Sequence, residues 1–258
     1  MRTIKLTLEY DGTPFHGWQS QPGKVTVQGE LEKALHKITG EEISVIGAGR
    51  TDAGVHALGQ VASFRTNSKI PLNGLLKALN SIVPKEMAVI SCDEAPENFH
   101  PIRDACYKVY VYHIVSVASR VPILNQRAWI VASHIDVDAI KRATAFLKGK
   151  HDFSSFRASG SSVKSSIREI YRADFSMMKE PPFPVLRGDH YLFTIAANGF
   201  LRYMVRNIVG TLMEIGLGRR PWPYMEAILE AKDRTMAGRT APPQGLYLKE
   251  VSFKPYKE

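Results

Sequence analysis

The chain has 258 residues, enough to bury a substantial core as one large domain or two modest ones. Its 34 Lys+Arg against 25 Asp+Glu leave a net charge of +9 and a pI near 9.5, a balance that favours an anionic partner. Two cysteines, Cys92 and Cys106, without a CxxC spacing, and eight dispersed histidines argue against a disulfide framework or a Cys/His metal site, so no metal is expected.

The first segment, residues 2–10, alternates with Ile4, Leu6, Leu8 and Tyr10 on one face, which predicts a strand. It contains no apolar signal core, and no run in the chain approaches a membrane span, so a cytoplasmic protein is expected. Val27, Leu31, Leu35 and Ile38 then recur at helical spacing. Strands are predicted near 43–49 and 57–65, a helix near 72–82 and a strand near 87–92, giving βαββαβ.

The second half repeats this order with insertions. A strand is predicted near 106–117, a short run near 128–131, a helix near 137–148, strands near 166–176 and 190–198, a helix near 200–217, a small helix near 223–231 and a last strand near 247–253. The fold class expected is therefore α+β, with two pseudo-repeated ferredoxin- or RRM-like halves around a central antiparallel sheet. The seam falls near Asp104, giving an N-terminal half over 1–104 and a C-terminal half over 105–258. Charge divides unequally between them. Residues 1–105 hold 11 basic and 12 acidic side chains, so the remaining 23 basic and 13 acidic ones give the second half all of the positive excess. Two stretches read as loops: Ser154 to Ser166, with seven serines beside Arg157 and Lys164, and Glu180-Pro-Pro-Phe-Pro184. Hydroxyls and cations on such a loop suit phosphate contacts, although most loops of this composition are plain connectors.

Between the second and third strands lies Gly47-Ala-Gly-Arg-Thr-Asp-Ala-Gly-Val-His-Ala57, a turn bracketed by Gly49 and Gly54. An Asp among glycines is usually a turn residue. Here Asp52, with Arg50 two residues before it, is also placed to act on a ligand. On the strand 106–117 the period of two puts Lys108, Tyr110 and Tyr112 on one face, where Tyr110 is either core or a platform for an unstacked base. On the helix after Asn198-Gly199, Arg202 and Arg206 flank the apolar stripe at i, i+4. Arg206 stands between Val205 and Val209, so a buried carboxylate partner is expected for it. The Gly/Pro-rich segment 233–248 delivers Leu246 and Tyr247 to the start of a strand.

Taken together, Phe15-His-Gly-Trp-Gln19, Val27-Gln28, Gly49-Arg-Thr-Asp-Ala-Gly-Val-His-Ala57, Phe99-His100, Lys108-Val-Tyr-Val-Tyr112, His151-Asp-Phe-Ser-Ser-Phe-Arg157, Asn198-Gly-Phe-Leu-Arg-Tyr-Met-Val-Arg-Asn-Ile-Val-Gly210 and Gly245-Leu-Tyr-Leu248 resemble, in order, the motifs of the bacterial tRNA pseudouridine synthase A family. The resemblance runs nearly end to end. It implies isomerisation of uridines at tRNA positions 38, 39 and 40 of the anticodon stem-loop, without cofactor or metal, by a homodimer that works on tRNA and has no membrane or protein partner. Carried over position by position, Asp52 matches the catalytic aspartate, Tyr110 the tyrosine that stacks on the target base, and Arg206 the arginine that pairs with the aspartate. Arg50 matches a residue assisting base displacement, Leu246 one lining the pocket, and Arg202 is a candidate substrate contact. One departure stands out: where the family often reads Phe-His-Ala-Arg, this chain has Phe99-His-Pro-Ile-Arg103, with the arginine displaced by one.

Two other classes compete on the residues alone. A nucleosidase-type hydrolase also needs a carboxylate near C1′, normally with a second one; the Asp52 motif offers none at close range, so Asp11 or Glu9 would have to approach it in space. A non-catalytic RRM-like RNA-binding module would need no Asp52 at all.

Overall fold

The computed structural model describes residues 1–158, 165–179 and 187–257. Of the two loop segments singled out by composition, residues 159–164 of the first and all of 180–184 fall outside the described residues. The backbone gathers into two compact units, Met1–Cys106 with Tyr247–Lys257, and Tyr107–Leu246. Each combines helices with antiparallel-dominated strands, so the class is α+β as the repeated pattern predicts.

The first unit opens with β1 (Arg2–Tyr10), whose Ile4, Leu6 and Leu8 are fully buried, as their alternation requires. Helix α1 (Val27–Thr39) starts where the Thr26 hydroxyl accepts from Gly29 N at 3.2 Å, and ends at Gly40 in the left-handed region. Next come β2 (Ile46–Gly47), β3 (His56–Thr66), α2 (Leu72–Ile82) and β4 (Met87–Ala95). Strands β4, β1 and β3 pair antiparallel in that order, and β2 pairs with β3. The strand expected near 43–49 contracts to two residues for a visible reason. The Val45 N–H donates to Glu32 Oε1 at 3.0 Å and its carbonyl accepts from Gln28 Nε2 at 3.1 Å, so α1 side chains take the groups a ladder would use.

The second unit runs β5 (Tyr107–Ser116), β6 (Trp129–Val131), α3 (Val137–Ala145), β7 (Gly149–Asp152), β8 (Ile167–Met177), β9 (Asp189–Ala197), α4 (Met204–Gly216) and α5 (Tyr224–Ala231). Strands β5, β9, β8 and β7 pair antiparallel in that order; β6 lies parallel to β5. Strand β7, Gly-Lys-His-Asp, is not foreseen by the pattern, and α3 stops three residues earlier than expected to make room for it. Helix α4 starts at Met204 rather than near 200, because Tyr203 takes a left-handed conformation, φ 63°.

The loop after α5 is locked to α4 by a polar spine. Buried Asn207 accepts from Thr240 Oγ1 at 2.7 Å and from Arg234 Nη2 at 3.1 Å, and donates to the Phe156 carbonyl at 2.8 Å. Gly210 is required there, since a Cβ would stand 1.6 Å from the Arg239 carbonyl oxygen. The last strand, β10 (Leu246–Ser252), counts with the second half by its pattern, but Tyr247 and Leu248 pair in parallel with His56 and Ala57 of β3, which draws 247–257 into the first unit. Among the described residues no helix is long and apolar enough to cross a membrane.

Candidate active site

Asp52 stands on a tightly held turn of the first unit. Thr51 is buried, and its Oγ1 lies 2.8 Å from the Tyr10 hydroxyl, while its carbonyl accepts from Trp18 N at 3.0 Å. Burial pushes the Tyr10 hydroxyl up to about 12, against the opposing hydrogen bonds from Thr51 and Gln60, so it stays protonated. Gln60, wholly buried, donates to the Gly49 carbonyl at 2.7 Å. The Val55 N–H donates to the Asp52 carbonyl at 3.1 Å, and Gly54, φ 75°, donates to Phe15 O at 3.4 Å. Gly17 closes the other side. Its φ is +89° and a Cβ on it would sit 2.7 Å from the Thr51 carbonyl oxygen. Backbone on either side of Asp52 is thus pinned while its own side chain remains half-exposed and Arg50 is exposed.

Neighbouring groups bear on the competing chemistry. Asp11 Oδ1 accepts from Thr13 N at 3.0 Å and Thr13 Oγ1 at 2.6 Å, and lies 3.1 Å from buried His56 Nδ1, which is also 3.0 Å from Gly12 N. That carboxylate is engaged in its own turn, and Glu9 is exposed on β1.

The second unit holds the other candidates. Tyr110 is buried on β5 opposite Ile195, with the Phe200 ring edge-on at 5.1 Å and 86°. Arg202, exposed, and Arg206, half-buried, each place Cζ 4.9 Å from the Tyr203 ring centroid. Arg206 Nε donates to the Ala241 carbonyl at 2.8 Å, and Ala241 N donates back to the Arg206 carbonyl at 3.0 Å, so the guanidinium is fixed by the loop that α4 holds. Leu246 is buried directly after the 243–245 turn, where Tyr112 donates to the Pro242 carbonyl at 2.7 Å and Gly245 packs on the Tyr112 ring. Burial raises the Tyr112 hydroxyl far above its ordinary range, with the Arg206 and Arg239 charges opposing.

Of the six candidates, Asp52 and Arg50 share the first unit; Tyr110, Arg202, Arg206 and Leu246 share the second, where Arg202 and Arg206 meet on one ring. Sequence reasoning missed Tyr10, Thr51 and Gln60 as the frame of the Asp52 turn, and Phe200 and Tyr203 as partners of Tyr110 and the arginines. Thr51, Phe200 and Tyr203 lie inside the quoted motifs and Gln60 just beyond one, while nothing local to Tyr10 signalled its role. The displaced Arg103 folds back on its own turn, Nε 3.1 Å from Asp104 Oδ1 and Nη2 2.9 Å from the Asn98 carbonyl. It borders a recess of about 550 Å³ in the first unit shared with Arg65, Phe99 and His100.

A family model described as tRNA pseudouridine synthase matches residues 7–102 and 143–254. Among similar proteins, tRNA pseudouridine synthase A of Thermoanaerobacter pseudethanolicus is 46% identical over 253 residues, 98% of this chain and 100% of that protein. The protein of the same name from Caldicellulosiruptor bescii is 43% identical over 253 residues, with 98% and 100% covered. That from Myxococcus xanthus is 42% identical over 254 residues, with 98% and 93% covered.

Proposed function

Because this chain belongs to the tRNA pseudouridine synthase family and is an enzyme that isomerises uridine to pseudouridine, we propose that its targets are uridines 38, 39 and 40 of the tRNA anticodon stem-loop, with Asp52 as the catalytic carboxylate. The observation that carries the assignment is the Asp52 turn: a half-exposed carboxylate on backbone pinned by Tyr10, Trp18 and Gly17, inside the motif that resembles the family's catalytic element.

The reaction breaks the N1–C1′ bond, turns the uracil and joins C5 to C1′; C5 loses its proton to water and N1 takes one up from water, so the step balances and no redox step is needed. A carboxylate acts on the ribose by adding to C1′ or by taking the C2′ proton. Tyr110 is the platform on which the detached base stacks, and Leu246 lines its pocket. Arg206 supplies the positive charge that favours the ionised carboxylate. Arg50 assists displacement of the base and Arg202 contacts RNA. Flipping the target out of its stack costs roughly a few kcal/mol, offset by stacking and by phosphate contacts of the basic second half. The active form is a homodimer in the cytoplasm.

The test is tritium release from C5-labelled uridine in unmodified tRNA, with pseudouridine mapped by position. Wild-type protein releases label at positions 38–40, and Asp52→Ala binds the tRNA but releases none. Release that persists in Asp52→Ala would remove the carboxylate from the mechanism, and free uracil in place of pseudouridine would favour hydrolysis.

A further inference from the structure

Lys108 lies one two-residue repeat from Tyr110 on the same face of β5. Its register partner is Ala197 on β9, and Ala197 is in turn opposite Ile170 on β8. Directly paired residues share a face, so Arg168, two residues before Ile170, shares it too. The Arg168 side chain passes over Gly199, where a Cβ would stand 3.6 Å from Nε. The next residue, Phe200, is the one whose ring meets Tyr110. Lys108, Arg168, Gly199, Phe200 and Tyr110 therefore form one contiguous cluster in the second unit.

Two cations meet in that cluster without a counter-charge. Among the described residues no carboxylate pairs with Lys108 or Arg168. Arg168 directs Nη1 to the carbonyls of Ser165, at 3.0 Å, and Ile167, at 2.6 Å, which orders its guanidinium without neutralising it. Lys108 is largely withdrawn from water, and burial, with the Arg168 charge adding to it, pulls its ammonium down to about 8. A lysine and an arginine drawn together in this way gain most from a shared anion. The adjoining strand repeat, about 6.6 Å between i and i+2, is on the scale that separates a base from its own phosphate.

We propose that Lys108 and Arg168 form a phosphate clamp for the phosphodiester flanking the uridine that stacks on Tyr110. The clamp rests on the reading of Tyr110 given above. It makes Lys108 and Arg168 binding residues that fix the sugar-phosphate while the base turns.

The experiment pairs a protein change with an RNA change. Wild-type, Lys108→Met and Lys108→Arg proteins are assayed on tRNA carrying either its native backbone or a single uncharged methylphosphonate beside the target uridine. With native tRNA, Lys108→Met should raise the dissociation constant about tenfold, the scale of one lost charged hydrogen bond, and lower the salt slope by about one. Lys108→Arg should restore most of the affinity. With the methylphosphonate, wild-type protein should lose the same tenfold while Lys108→Met loses nothing further. Penalties that multiply, or a Lys108→Met defect confined to kcat with unchanged affinity, would overturn the clamp. Wild-type protein that binds native tRNA but forms no pseudouridine would instead bring down the reading of Tyr110, and the clamp with it.

Discussion

The Tyr10 hydroxyl lies 2.8 Å from Thr51 Oγ1, which ties a strand of the first unit to the residue just before Asp52. Replacing Tyr10 by Phe leaves a buried threonine hydroxyl short of a partner, at a cost of about 1–3 kcal/mol. Tyr10→Phe should therefore lower the urea midpoint and reduce turnover more than tRNA affinity. An unchanged turnover number would show that this contact does not set the Asp52 position.

Gly17 offers a sharper probe of the same turn. Gly17→Ala puts a Cβ into the left-handed region, φ +89°, and against the Thr51 carbonyl. Strain of about 1–3 kcal/mol is expected, relieved by moving the turn. Single-turnover rates should drop at least tenfold with tRNA binding kept, whereas equal losses of both would point to general unfolding.

Arg206 is fixed through Nε to the Ala241 carbonyl, a contact lysine cannot reproduce in the same geometry. Both Arg206→Ala and Arg206→Lys should cut turnover far more than affinity. A matched fall in affinity in the alanine variant would identify Arg206 as a phosphate contact instead.

Acid stability has its own predictor. His113 Nε2 and His190 Nδ1 are 3.0 Å apart. Burial, then the neighbouring His190, pulls His113 down from 6.5 to about 4; burial also lowers His190, against the opposing pull of Asp189. Both are less basic folded than unfolded, so the unfolded chain binds more protons in acid. Their stabilising effect is complete above pH 6.5 and is lost as pH falls toward 4. Thermal melts between pH 7 and 4.5 should show Tm falling across that window, and a flat profile would contradict the pair's neutrality.

Much of this was legible in the sequence wherever one face of an element meets the core. The alternation of Ile4, Leu6 and Leu8 and the stripe Val27, Leu31, Leu35 gave β1 and α1 directly, because burial enforces the period. Strand β7 was not legible, since Gly149-Lys-His-Asp152 has no apolar alternation and forms through pairing with β8. The contraction of β2 depends on Glu32 and Gln28, thirteen and seventeen residues from Val45, and no local pattern reports it. In the candidate site the motif around Asp52 announced itself, whereas its supports did not: Tyr10 is 41 residues from Thr51, and the left-handed Tyr203 carries no glycine signature.

The route of the chain also constrains how it is made. Strand β3 is synthesised early and pairs on one edge with β1, where Ala57 lies opposite Tyr10, but on its other edge His56 and Ala57 pair with β10, which follows the second unit in the chain. On the ribosome, the stretch beside the Asp52 turn must wait for the second unit to emerge, leaving an open strand edge on the nascent chain throughout that interval. A nascent polypeptide stalled before residue 247 would therefore lack the strand that covers this edge of β3, although every group that pins the Asp52 turn, from Tyr10 to Gln60, would already have been made.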